Sequence, residues 1–190
     1  MKDAIRSWLL RSIDVKVKTV DVCTDSVAQA AEMLIECLKS GHKVLLCGNG
    51  GSAADSQHMA CELVGRFLVD RRALAAIALT TDTSILTAIA NDYDYEQVFQ
   101  RQVQALGQPG DVLLALSTSG NTVNVLKAAD AARRQGMKVV ALTGETGGQL
   151  KNLCDCLIAV PSTMTPHVQE SHITVLHVLC ELVDKALVQR

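Results

Sequence analysis

Nowhere in its 190 residues does this chain gather basic side chains into a run, and eighteen Lys plus Arg stand against twenty Asp plus Glu for a net charge of −2. Without a basic stripe to track a phosphate backbone, nucleic acid is not an expected direct ligand. Long apolar runs are missing as well: none approaches the roughly 18 residues that a membrane span needs. The opening stretch MKDAIRSWLLRSIDVK is interrupted by Lys2, Asp3, Arg6, Arg11 and Asp14 and offers no signal-peptide core, so a cytoplasmic protein with no membrane partner is expected. Paired cysteines are scarce too. Of Cys23, Cys37, Cys47, Cys61, Cys154, Cys156 and Cys180, only Cys154 and Cys156 fall close together, and a lone CxC makes a poor zinc knuckle. Small buried hydrophobes are the expected role for most of them. No repeat, low-complexity tract or Pro/Gly/Ser-rich linker divides the chain, so residues 1–190 are expected to form one domain.

What is present is a regular alternation. At 48% hydrophobic content the chain can bury a substantial core. Short apolar runs recur at Lys43 to Cys47, Leu74 to Leu79, Asp111 to Leu116, Lys138 to Thr143 and Cys156 to Val160. Because they lack polar alternation, they suit strands buried on both faces of a parallel sheet. Helical patterns separate them at Ser52 to Val64, Thr83 to Ala90 with Glu96 to Leu106, Val123 to Gln135, and briefly near Gln149. The expected fold is α/β, a three-layer, doubly wound sandwich with a five-stranded parallel sheet. Outside this core lie an amphipathic helix from about Asp25 to Ser40, an apolar segment from Ala4 to Val17, and a long helix from about Pro166 to Val188. A sheet of this size has little room for all of them, so the N-terminal helices, about residues 1–40, and the C-terminal helix are expected at an oligomer interface.

In open α/β sheets ligands sit beyond the carboxyl ends of the strands. Two strand-to-helix loops therefore stand out. GNGGSAADS follows Cys47, and Gly48, Gly50 and Gly51 let backbone N–H groups approach a ligand at a helix start. STSGNT follows Leu116 and sets the hydroxyls of Ser117, Thr118, Ser119 and Thr122 around Gly120, a neutral donor set suited to phosphate oxygens. An ordinary N-cap turn is the competing reading of STSGNT. GNGGSA also matches GxGxxA, but the acidic residue of a dinucleotide site, about 20 positions on at the end of a second strand, is not in place, and no GxxxxGK[ST] occurs. Two such loops on one sheet edge favour a phosphorylated small molecule.

On the helix that leaves the first loop, His58 and Glu62 are one turn apart and share a face. Imidazole and carboxylate suit either Zn²⁺ or general acid–base work, the alternative being a surface ion pair. The C-terminal helix carries PHVQESHITVLHVL. Gln169 and His177 differ by about 80° and share a broad face, whereas His172 lies about 140° from His177 and is expected to pack, with His167 solvated. Eight residues rise about 12 Å, so Gln169 and His177 meet at one ion only if the helix starts later than Gln169 or two subunits each lend a residue.

The motifs CGNGGSAADSQHMACELVGRF, AIANDYDYEQVF, GDVLLALSTSGNTVNVLKAA and HVQESHITVLHVLCELVD, in this order and over nearly the whole chain, resemble the phosphoheptose isomerases of the SIS, or sugar isomerase, fold. The resemblance implies a cytosolic homotetramer with active sites between subunits. It implies conversion of sedoheptulose 7-phosphate to D-glycero-D-manno-heptose 7-phosphate, toward the heptose of lipopolysaccharide. By similarity Asn49, Gly50, Gly51, Ser52, Glu62, Asn91, Asp92, Ser117, Thr118, Ser119, Thr122 and Gln169 would contact the sugar phosphate. His58, Glu62, Gln169 and His177 would hold one zinc ion per subunit, and Glu62 and His177 would handle protons. Arg66 is the expected phosphate partner, with Arg71 and Arg72 as competitors. His167 stands where the family often has arginine. A regulator on the same fold that binds the replication initiator DnaA is the alternative; it lacks the acidic residue that Glu62 supplies here.

Overall fold

The computed structural model describes residues 1–188. Five strands, β1 (Val44–Cys47), β2 (Ala76–Ala78), β3 (Val112–Leu116), β4 (Lys138–Gly144) and β5 (Cys156–Val160), form one parallel sheet in the order β2-β1-β3-β4-β5. Every residue of β1 and β3 is buried, which is why these segments read as unbroken apolar runs. Their alternate side chains feed two cores. Val44, Leu46, Val112, Leu114, Val140 and Leu142 face α1 (Lys2–Lys39), α2 (Gly51–Val64) and α6 (Thr165–Leu187). Leu45, Cys47, Leu113, Ala115, Val139 and Ala141 face α3 (Thr83–Asp92), α4 (Val98–Leu106) and α5 (Val123–Arg134). The sandwich is thus three-layered and doubly wound, as the alternation of patterns predicts.

The strand order reverses between β1 and β3, where the chain winds first to β2 and later back past β1. Such a switch point leaves a crevice at the carboxyl edge. Leu46 pairs with Leu114 and Cys47 with Ala115, so the glycine loop after β1 and the hydroxyl loop after β3 emerge side by side.

Two details differ from the sequence expectations, and a third decides between two alternatives left open there. The N-terminal region is a single helix of 38 residues rather than two pieces, because no Gly or Pro interrupts residues 18–24. Its first half leaves Ile5, Leu9, Leu10, Ile13 and Val17 exposed, each by more than half. His167 is buried at 2% exposure, not solvated: its ring lies 4.9 Å from that of Trp8, and its Nδ1 is 3.3 Å from Glu170 Oε2. It therefore sits between α1 and α6. Finally, α6 begins at Thr165, before Gln169.

His172 packs as expected: fully buried, with Nε2 3.1 Å from the Thr143 carbonyl, it ties α6 to β4. Burial pushes its imidazole down to about 4, against the opposing pull of that carbonyl. All seven cysteines are free, and five are buried. Cys154 and Cys156 point to different partners, the Lys151 and Ser26 carbonyls, so the CxC forms no metal pair. Among the described residues no helix is long and apolar enough to cross a membrane.

Candidate active site

Neither helix start at the carboxyl edge carries a side-chain cap: Gly50 precedes α2 and Thr122 precedes α5. First-turn N–H groups at both ends are therefore not taken up by a capping side chain, and both dipoles favour an anion in the crevice between them. The hydroxyl loop is preorganised. Ser117 Oγ and Thr122 Oγ1 share a hydrogen bond of 2.8 Å, and Ser119 Oγ accepts from the Asn121 N–H at 3.1 Å, which leaves the exposed Ser119 hydroxyl hydrogen free to donate outward. Asn121 also accepts from the Gln149 N–H, tying this loop to the one after β4. Gly120, at φ +67°, has no room for a side chain, since a Cβ there would collide with the Gly147 carbonyl.

The glycine loop is built for close approach. A Cβ on Gly51 would lie 2.7 Å from Gln169 Nε2, so the absence of a side chain lets the Gln169 amide settle over the start of α2. One to two turns on, His58 Nε2 lies 3.0 Å from His177 Nε2 and 3.3 Å from Glu62 Oε1. The Phe67 ring stacks on His177 at 5.5 Å between centroids, holding the imidazole from behind. Gly51 against Gln169 and His58 against His177 show α2 and α6 running side by side in the same direction. The structure thus joins His58, Glu62 and His177 in one cluster and leaves Gln169 of the same chain on the glycine loop, two turns away.

The donor chemistry of the cluster fits zinc. Two nitrogens bound tetrahedrally at 2.0–2.1 Å stand about 3.3 Å apart, close to the 3.0 Å between the two imidazoles. Among the described residues no three His, Cys, Asp or Glu donors converge on one point. Glu62 touches His58 but would have to swing to complete a shell, and Gln169 would have to come from elsewhere.

Other expected site residues are placed less centrally. Asn91 and Asp92 hydrogen-bond each other at the exposed end of α3. Ser52 is buried at 3% exposure in the first turn of α2, and Thr118 is half-buried. Arg66 is exposed just beyond α2. Arg71 is not a phosphate ligand: its side chain, 2% exposed, pairs with Asp184 at 2.6 Å and donates to the Glu62 and Leu63 carbonyls, closing the end of α2. Arg72 donates to the Leu38 carbonyl at the end of α1. Several residues near the site lie within the quoted motifs but were not singled out there. Asp55, one turn before His58, has a buried Oδ2 without a hydrogen-bond partner, and burial pushes its carboxyl up to about 6, with His58 pulling the other way. Asn124 and Tyr95 both bond Asn49, and only the buried polar position of Asn124 in a first helical turn hints at this.

A parallel sheet of this order, with a glycine loop and a hydroxyl loop at its switch point, is a doubly wound α/β domain of flavodoxin-like topology, and the model of the SIS domain family matches residues 10–144. The similarity continues to particular proteins. The phosphoheptose isomerase of Rhodospirillum rubrum is 52% identical over 187 residues, 98% of this chain and 99% of that one. Solved phosphoheptose isomerases of Neisseria gonorrhoeae and Francisella tularensis superpose with TM-scores of 0.92 and 0.93, at 44% and 41% identity, covering 97% and 96% of this chain and 98% and 97% of theirs. The chain belongs to the phosphoheptose isomerase family. None of these relatives speaks for the reading as a regulator of replication initiation.

Proposed function

We propose that this protein is an aldose–ketose isomerase that converts sedoheptulose 7-phosphate to D-glycero-D-manno-heptose 7-phosphate, supplying heptose for lipopolysaccharide. The observation that carries the chemistry is the cluster of His58, Glu62 and His177, set on α2 and α6 beside two loops with unclaimed donors. Ser117, Thr118, Ser119 and Thr122, with the start of α5, receive the phosphate. Asn49, Gly50, Gly51, Ser52, Asn91, Asp92 and Gln169 line the sugar, and Arg66 adds charge at the rim. Glu62 takes the proton from C1 of the ketose and returns one to C2, while His177 moves the proton between the two oxygens of the enediol. Phe67 keeps the His177 ring in register for that transfer.

One zinc ion per subunit belongs to this reading, held by His58, Glu62 and His177 with a glutamine. When bound, it would polarise the carbonyl and the adjacent hydroxyl. Because α6 starts before Gln169, the glutamine is drawn from a second protomer. The exposed apolar face of α1 supports such an assembly, a homotetramer with its sites between subunits. The protein works in the cytoplasm. Purified protein incubated with sedoheptulose 7-phosphate, with and without a chelator, tests the whole reading: an aldose signal by NMR that the chelator abolishes is expected. No aldose in either sample would leave binding without catalysis.

A further inference from the structure

Asn49, the first polar side chain beyond β1, has its amide held from both sides. Its Nδ2 donates to Asn124 Oδ1 at 2.9 Å, and its Oδ1 accepts from Asn124 Nδ2 at 3.1 Å and from the Tyr95 hydroxyl at 3.1 Å. Asn124 is 3% exposed in the first turn of α5, and Tyr95 begins the short turn that follows α3. A primary amide has two acceptor lone pairs on oxygen and two hydrogens on nitrogen. Both lone pairs of Asn49 are therefore spent, and one N–H remains. These three side chains, with Glu96, Thr122 and Val123, wall a cavity of about 160 Å³ beside the hydroxyl loop. That is space for on the order of five water-sized groups.

We propose that Asn124 and Tyr95 are positioning residues for sugar-phosphate binding: they lock the Asn49 amide so that it offers the ligand a single N–H donor and no acceptor. The inference rests on the function proposed above and deepens it. A ligand group seated against Asn49 must then present an acceptor, a carbonyl, hydroxyl or phosphate oxygen. The reciprocal amide pair resists flipping because turning one partner alone would set donor against donor and acceptor against acceptor in a nearly buried site. It also couples the two ligand loops, since one amide follows β1 and the other follows β3.

Tyr95→Phe removes only the hydroxyl from a side chain that is 55% exposed, so folding is preserved. For sedoheptulose 7-phosphate it should raise KM roughly three- to tenfold with kcat within about twofold. If Tyr95 acts through Asn49, the same change made in an Asn49→Ala background should cost less than about twofold. An unchanged KM, a loss confined to kcat, or a full effect in the Asn49→Ala background would each overturn the inference, the last because Tyr95 would then touch the ligand itself. Wild-type protein that neither binds nor converts the substrate would instead remove the functional reading beneath it. That outcome is told apart by the wild type alone.

Discussion

His58 and His177 face each other through their Nε2 atoms at 3.0 Å, although 119 positions separate them in sequence. Two neutral imidazoles so placed need a proton or a cation between them, since otherwise two lone pairs or two N–H groups oppose each other. In the proposed site the two imidazoles would hold a zinc ion together with Glu62. Protein loaded with zinc and then desalted is expected to retain about one metal per chain by elemental analysis. Single His58→Ala and His177→Ala variants should each lose most of it, and undiminished retention in both would place the metal elsewhere.

The mechanism proposed above makes Glu62 the carbon base, and Glu62→Gln keeps its size but cannot accept a proton. Turnover should fall by about a hundredfold or more, with an unchanged melting temperature and sugar-phosphate affinity within a few fold. Loss of solvent deuterium incorporation at C1, followed by NMR, separates a missing base from slow product release. Near-wild-type turnover would take Glu62 out of that role.

The Ser119 hydroxyl is the most exposed of the hydroxyl-loop donors, and because its oxygen accepts from the Asn121 N–H, its hydrogen remains free to donate. A hydrogen bond to a charged oxygen contributes about 1.5–3 kcal/mol. Ser119→Ala should accordingly weaken binding of sedoheptulose 7-phosphate by about tenfold or more in calorimetry. Unchanged affinity would favour an ordinary N-cap turn over a phosphate cradle.

The central strands were legible because burial on both faces leaves no polar residue to blur a run: β1 and β3 are buried at every position and lie inside the runs Lys43 to Cys47 and Asp111 to Leu116. The run Leu74 to Leu79 yields only three paired residues, Ala76 to Ala78 against Val44 to Leu46. The paired loops and the His58–Glu62 face were legible because local spacing carries them. What stayed hidden depends on partners distant in sequence. The burial of His167 is set by Trp8 on α1, the lock on Asn49 by Tyr95 and Asn124, and the fate of Arg71 by Asp184 on α6.

Arg71 shows how such a partner changes a role. Its guanidinium neutralises Asp184, 4% exposed, while filling the carbonyls at the end of the helix that bears Glu62. Arg71→Met leaves a buried carboxylate without its cation and should destabilise the fold by about 3–5 kcal/mol, read as a lower midpoint in urea. Arg66→Ala should leave that midpoint unchanged and raise KM. The reverse pattern would return Arg71 to the phosphate.

His172 sets an acid limit on the fold. In the unfolded chain its imidazole binds a proton below about pH 6.5, whereas burial holds the folded group neutral down to about 4. The unfolded state therefore takes up the extra proton across that window, and stability present above pH 6.5 is lost as pH falls toward 4. A shift of this size corresponds to on the order of 3 kcal/mol. Protonation would also set a cation, with Nδ1 unpartnered, inside the core against the face where α6 meets β4. Urea unfolding at pH 7 and pH 4.5 should show this loss in wild-type protein and a smaller one in His172→Gln, which keeps a donor for the Thr143 carbonyl but cannot titrate. Equal losses in the two proteins would assign the acid sensitivity to other groups.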